Sequence, residues 1–136
     1  MRRESYKDEI KCIVILSSAE MDDWDKARRK EDKQLRYINS YAKKHQLVTM
    51  EIVRRGCFGP IETSKLLDSV IKKMKSGKAE AVLMVNALAI SNSVADAYLK
   101  IGKVNEAGYR FITVDEGELG MKLCIPEDRE VIQDGT

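Results

Sequence analysis

Four short apolar runs recur along this chain with helix-length segments between them, and that alternation restricts the fold more than any other feature. The runs are IKCIVIL at 10–16, LVTMEIV at 47–53, AVLMV at 81–85 and YRFITV at 109–114. Each is short and rich in β-branched residues, so each reads as a strand. Strands that alternate with helices pair in parallel, because a parallel return needs a crossover of about helix length. The order is β-α-β-α-β-α-β, with MKLCI at 121–125 as a candidate fifth strand. It implies a three-layer α/β/α domain with a mostly parallel four- to five-stranded sheet. The pattern leaves strand order open.

The intervening segments carry helix signals. From 24 to 46 the apolar positions are Trp24, Ala27, Leu35, Ile38, Tyr41 and Ala42, and from Leu35 onward they fall on one helix face. Asp22, Asp23 or Asp25 is the expected cap. The opposite face is basic, with Arg28, Arg29, Lys30, Lys33, Arg36, Lys43 and Lys44 interleaved with the acids Asp25, Glu31 and Asp32. That mixture reads as a solvated surface; a weak, nonspecific DNA patch is the sharper reading. RRGCFGP at 54–60 reads as a loop with an exposed Phe58, because two glycines and a proline interrupt regular structure. Thr63 or Ser64 is expected to cap a second helix, with Leu66, Leu67, Val70, Ile71 and Met74 inward and Gly77 at its end. Ser91 or Ser93 is expected to cap a third, with Val94, Ala97, Tyr98, Ile101 and Val104 inward and Gly108 at its end.

Length and composition close off other classes. The chain has 136 residues, enough for one domain with a real core. The expected layout is a disordered segment at 1–9, one domain at 10–125 and a flexible tail at 126–136. No apolar run approaches the length of a membrane span, and MRRESYKDEIK does not lead into the apolar stretch of a signal peptide. No membrane partner is expected. Cys12, Cys57 and Cys124 are widely spaced and odd in number, which points away from a disulfide framework or a zinc site and toward the cytoplasm. No metal and no cofactor is expected: no glycine-rich phosphate loop of either common order is present. A net charge of +2 announces no nucleic-acid partner by itself.

Local phrases are more specific than the element order. QLRYINSYAKKHQL before a strand, GCFG, LLDSVIKKMKSGKAEAVLMVNALAISNS and VNEAGYRFITVDEG resemble, in that order, the N-terminal catalytic domain of the serine recombinases, the resolvase/invertase family, over residues 10–117. The resemblance implies DNA strand exchange through a phosphoserine link, with arginines around the serine. The nucleophile would follow strand 1 in a Tyr-x-Arg-x-Ser phrase. Here that register places Ser17 at the nucleophile, Ile13 at the tyrosine and Ile15 at the arginine. A shift by one places Ser18 at the nucleophile and Leu16 at the arginine. An arginine at the start of the second helix falls near Ser64. An Asp-Arg-Leu-x-Arg loop falls on 88–92, so Leu88 stands for the acid, and Ala89 and Asn92 for the arginines. The family continues with a long helix and a DNA-binding domain; residues 118–136, with Pro126 and Gly135, match neither.

One lost oxyanion-stabilising donor costs roughly 100- to 1000-fold in rate. Loss of several cations from one phosphate site removes nearly all acceleration, although such losses are not additive. The expectation is a domain without strand-cleaving chemistry, with Ser17 (or Ser18) as a vestige. It would act in self-association or with another recombinase-like protein of a mobile element. Two alternatives stay open. One is an active recombinase or its catalytic fragment. The other is a small-molecule or anion binder in the crevice near Ser17 and Asn86. Plainer readings stand beside these: Ser17 and Ser18 as turn residues, Ser91-Asn92-Ser93 as a helix cap, and His45 as a solvated helix end. Cys57, beside Arg54 and Arg55, is a candidate for a lowered thiol pKa.

Overall fold

The computed structural model describes residues 9–18, 20, 22–91 and 93–120. In chain order the elements are β1 (Ile10–Leu16), α1 (Trp24–His45), β2 (Leu47–Arg54), α2 (Pro60–Lys75), β3 (Ala81–Met84), a short 3-10 turn (Ala87–Ile90), α3 (Val94–Glu106), β4 (Arg110–Thr113) and β5 (Gly117–Leu119). Strand order is β2-β1-β3-β4-β5; the first four are parallel and β5 runs antiparallel to β4. The expected three-layer α/β architecture is present.

The period-2 alternation of the strands divides the core in two. Cys12, Val14, Leu16, Ala81, Leu83 and Ile112 face α1, where Ile38 and Ala42 meet them. Ile13, Ile15, Val82, Met84 and Phe111 face the opposite way and pack under α2 and α3, against Leu67, Val70, Met74, Ala97 and Ile101. β1 lies between β2 and β3, and five successive residues from Cys12 are buried. This is why IKCIVIL reads as continuously apolar rather than alternating.

The helix ends follow local chemistry. Asp23 caps α1, its Oδ1 accepting from the backbone N–H groups of Asp25 and Lys26 at 3.0 and 3.1 Å. Ser93 caps α3, with Oγ accepting from Asp96 N–H at 3.2 Å. α2 starts earlier than expected: Pro60 occupies its first turn and Gly59 is the N-cap, while Thr63 lies inside the helix. Proline suits that position because its missing N–H would have no helical partner there. A strand that the apolar runs did not mark is present at Gly117–Leu119; MKLCI lies outside the described residues.

One further reading is corrected by packing: Val94, expected inward, is 60% exposed. Trp24, an apolar position of the first helix, is 56% exposed. Trp24 leaves the core because it covers the 54–59 loop instead. Its ring meets Phe58 edge-on at 5.3 Å, and it lies over Gly56, whose φ is +63°. A Cβ on Gly56 would stand 2.2 Å from Trp24 Cζ3. Gly56→Ala is therefore expected to destabilise the fold by about 1–3 kcal/mol, through left-handed strain and displacement of the ring. Urea unfolding followed by the fluorescence of Trp24, the sole tryptophan, measures this; an unchanged midpoint would reject the close packing.

Candidate functional site

A cavity of about 830 Å³ opens at the carboxyl ends of the parallel strands. This is the expected position in an open α/β sheet, where strand ends leave a crevice between the helices. Ser17 and Ser18 enter it from the end of β1, and Arg55 from the end of β2. Thr63, Ser64 and Lys65 enter from the first turns of α2. The far wall is Val85, Asn86 and the 3-10 turn, with Asp96 and Lys100 of α3 beside it. Of the residues singled out in the sequence, Ser17, Ser18, Ser64, Leu88 and Ala89 meet here. Ile15 does not; it is 2% exposed in the core under α2 and α3. Asn92 lies outside the described residues.

The two serines have different surroundings. Ser18 Oγ accepts from Glu20 N–H at 3.2 Å and serves the turn. Ser17 is 1% exposed. Its backbone is clamped by the Gln34 amide of α1: Oε1 accepts from Ser17 N–H at 3.0 Å and Nε2 donates to Ser17 O at 2.8 Å. Ser17 Oγ accepts from Arg55 Nη1 at 3.5 Å. Among the described residues, no carboxylate or imidazole is hydrogen-bonded to that hydroxyl.

Arg55 is the cation that the sequence registers failed to place. Its backbone N–H donates to Leu16 O at 2.9 Å, which extends the β1–β2 ladder and brings the side chain to the end of β1. Nη1 also donates to Ser18 O, and Nε donates to Thr63 Oγ1 at 3.2 Å. One guanidinium thus ties β1, the 54–59 loop and α2 together. The signal was present as a cation just past β2, but it became useful only once β2 was placed beside β1.

Behind this loop sits a second unexpected residue. Glu31, read as one acid of a solvated face, is 1% exposed. Its carboxylate accepts from Gly56 N–H at 2.7 Å and stands 3.5 Å from Arg54 Nη1. Arg54 also pairs with Asp32 at 2.8 Å. These contacts hold the loop that presents Arg55.

The far wall is neutral where the resemblance implies an acid and arginines. Asn86 Oδ1 accepts from Ala89 N–H at 3.0 Å and so caps the 3-10 turn. Glu116 accepts from Ala87 N–H at 3.0 Å. Leu88 is 52% exposed. Lys100 pairs with Asp96 one turn earlier, and that pairing together with Ser91 holds the Asp96 carboxyl below its usual range. Among the described residues no group of three His, Cys, Asp or Glu side chains could share a metal ion. His45 is exposed and stacks on Tyr41 at 4.1 Å. Cys57 is corrected: burial, then Glu20 and Asp23, raise its thiol pKa, and Arg55 opposes them only in part. Cys12 is pushed up to about 12, first by burial and then by Glu80.

Glu31 gives a pH test. Burial raises its carboxyl above the ordinary value, despite the Gly56 N–H and Arg54. The folded chain then holds that proton more tightly than the unfolded chain. Stability from this group is present at low pH and is lost as pH rises from the ordinary carboxylate range through the raised value. Glu31→Gln retains an acceptor for Gly56 and cannot ionise. Wild-type stability relative to this variant should fall as pH rises through that window, as urea unfolding across a pH series would show. A difference flat in pH would reject the assignment.

No family model and no curated protein sequence matches this chain. Solved structures do. The N-terminal catalytic domain of TP901-1 integrase superposes with a TM-score of 0.66 at 15% identity, over 91% of this chain and 94% of that one. A resolvase-family site-specific recombinase from Streptococcus pneumoniae superposes with a TM-score of 0.67 at 17% identity, over 93% of this chain and 88% of that one. At this level of identity the likeness is one of architecture, and by that likeness the chain has the fold of the catalytic domains of resolvase-type recombinases.

Proposed function

We propose that this chain is a recombinase-fold domain that does not cleave DNA and works by association, as an accessory or protein-interaction domain of a mobile element. Its partner would be a second copy or another recombinase-like protein, and any DNA contact weak and nonspecific. The observation that carries this reading is the neutral far wall. Leu88 and Ala89 face the Ser17 crevice where the resemblance implies an acid and an arginine. Phosphoryl transfer spreads negative charge over the non-bridging oxygens, and its catalysis is mostly positioning and charge stabilisation. One guanidinium, already bonded to Ser18 O and Thr63 Oγ1, is a poor substitute for several. A serine hydroxyl also needs a base to become a nucleophile, and none is hydrogen-bonded to Ser17 among the described residues.

The Ser17–Arg55 contact favours a second reading, an active recombinase with a rearranged cation set. A covalent trap separates the two. Supercoiled DNA from the locus that encodes the chain is incubated with wild type, Ser17→Ala, Ser18→Ala and Arg55→Gln, then run on a denaturing gel. No nick and no covalent protein–DNA band is expected from any of them. A band that disappears in Ser17→Ala would overturn the proposal. The exposed basic face of α1 yields a companion expectation. Any DNA affinity should fall steeply with salt, with a log–log slope near −0.9 per phosphate contacted and no dependence on sequence. Salt-independent, sequence-selective binding in a mobility-shift assay would reject that part.

A further inference from the structure

We infer that the exposed aromatic corner formed by Trp24 and Phe58 is a docking surface for an arginine-bearing segment of a partner protein. The inference rests on the association role proposed above and gives that role a surface and a partner chemistry. Trp24 packs on Gly56 through its six-membered ring, yet 56% of its surface stays open, and Phe58 is 44% exposed. The two rings stand at 84° with centroids 5.3 Å apart. They form a corner rather than a flat stack. Support of the 54–59 loop accounts for the covered part of the indole and not for the open part. Aromatic side chains are enriched where proteins meet, because each buries a large area at little cost in side-chain freedom.

The charges around the corner select its occupant. Asp22 and Asp25 flank Trp24 in the chain, and both are exposed. Glu62 reaches the loop from α2: its Oε1 would stand 3.4 Å from a Cβ on Gly59, the residue after Phe58. None of these three carboxylates has an ion-pair partner among the described residues. Glu20 is partly offset, with Lys26 at 3.8 Å and Lys30 at 3.7 Å. The loop's own cations are engaged behind it, Arg54 with Glu31 and Asp32 and Arg55 with Ser18 and Thr63. The negative field reaches into the loop, where Glu20, Asp23 and Asp22 add to burial in raising the Cys57 thiol and Arg55 opposes them. Aromatic faces beside carboxylates attract cations. Arginine suits them better than lysine: its planar guanidinium lies on a ring while its N–H edge reaches a carboxylate, whereas an ammonium is a point charge. Two rings and three open carboxylates match one or two such side chains, hence a short extended segment. The same acids repel a polyanion.

The test uses the full chain and reads the fluorescence of Trp24, its sole tryptophan. The probes are tetra-arginine, tetra-lysine and tetra-glutamate peptides, each capped at both ends. The chain carries a net charge of +2, so a cationic peptide has no general attraction to it and saturable binding reports a local site. Tetra-arginine should give a saturable change, roughly threefold or more tighter than tetra-lysine and weaker as salt is raised. Tetra-glutamate should give none. Phe58→Ala should weaken tetra-arginine roughly threefold. Asp22→Asn combined with Asp25→Asn should weaken it roughly fivefold, with circular dichroism as in wild type for both variants. No saturable change, equal affinity for tetra-lysine, or indifference to either variant would overturn the inference. Sedimentation of the chain alone is the remaining arm: self-association that both variants abolish would put a second copy on the corner and also overturn it. A covalent band in the DNA trap would reject the non-cleaving reading whatever the peptides do, and absence of peptide binding leaves that reading standing, so the two proposals fail separately.

Discussion

Burial of β1 on both faces is the constraint from which the rest of the structure follows. Five consecutive residues from Cys12 to Leu16 lose almost all solvent contact, so helices must cover both sides of the sheet. The same burial creates a problem at the strand's end. The Ser17 N–H and C=O leave the ladder while still inside the protein, and an unpaired buried polar group costs roughly 1–3 kcal/mol. Gln34 supplies partners for Ser17, and Arg55 supplies one for the Ser18 carbonyl. The crevice is the space left around these corrections. Its polar side is what a buried central strand needs at its end, whatever the site goes on to bind.

Arg55 is accordingly both a structural and an electrostatic element. Its position is set from both directions along the chain: Leu16 O fixes its backbone, and Gly56 and Arg54 on either side are held by Glu31. A buried carboxylate is tolerable there because it accepts from a backbone N–H and faces a guanidinium, the two arrangements that offset desolvation. Trp24 then covers the loop from outside. An exposed tryptophan, a buried glutamate and a left-handed glycine, each unusual alone, are explained together as the support of one short loop.

The strands and the first helix were legible in the sequence because their signals are local. β-branched runs gave β1 at its observed bounds, 3.6-residue spacing from Leu35 gave the inner face of α1, and serines before an apolar-periodic stretch narrowed the α3 cap to Ser91 or Ser93, of which Ser93 is the one. The misses have physical causes as well. Pro60 looked like a loop residue, yet the first turn of a helix accepts proline at no hydrogen-bonding cost. β5 is three residues long and borrows its stability from β4, so no local pattern marks it. Glu31, expected on a solvated face, is buried because the 54–59 loop folds back onto α1, a long-range contact without periodicity. Arg55 was hidden for a related reason. It reaches the serine across the sheet, from the neighbouring strand, whereas a register taken from the resemblance looks for cations at fixed distances along the chain.

Magnitudes separate what such a site can bind from what it can catalyse. A hydrogen bond to a charged group contributes about 1.5–3 kcal/mol, and a millimolar dissociation constant corresponds to about 4.1 kcal/mol. Two such contacts are of that order. Acceleration of a difficult bond cleavage demands about 8–23 kcal/mol of preferential transition-state stabilisation. That stabilisation must come from groups that engage the charge as it develops rather than the ground state. Arg55 already donates to Ser18 O and Thr63 Oγ1 before any ligand arrives, and the wall opposite offers Leu88 and Ala89. On the proposed non-cleaving reading, this arrangement falls short of what breaking a phosphate ester demands, and the missing charge is at the 3-10 turn.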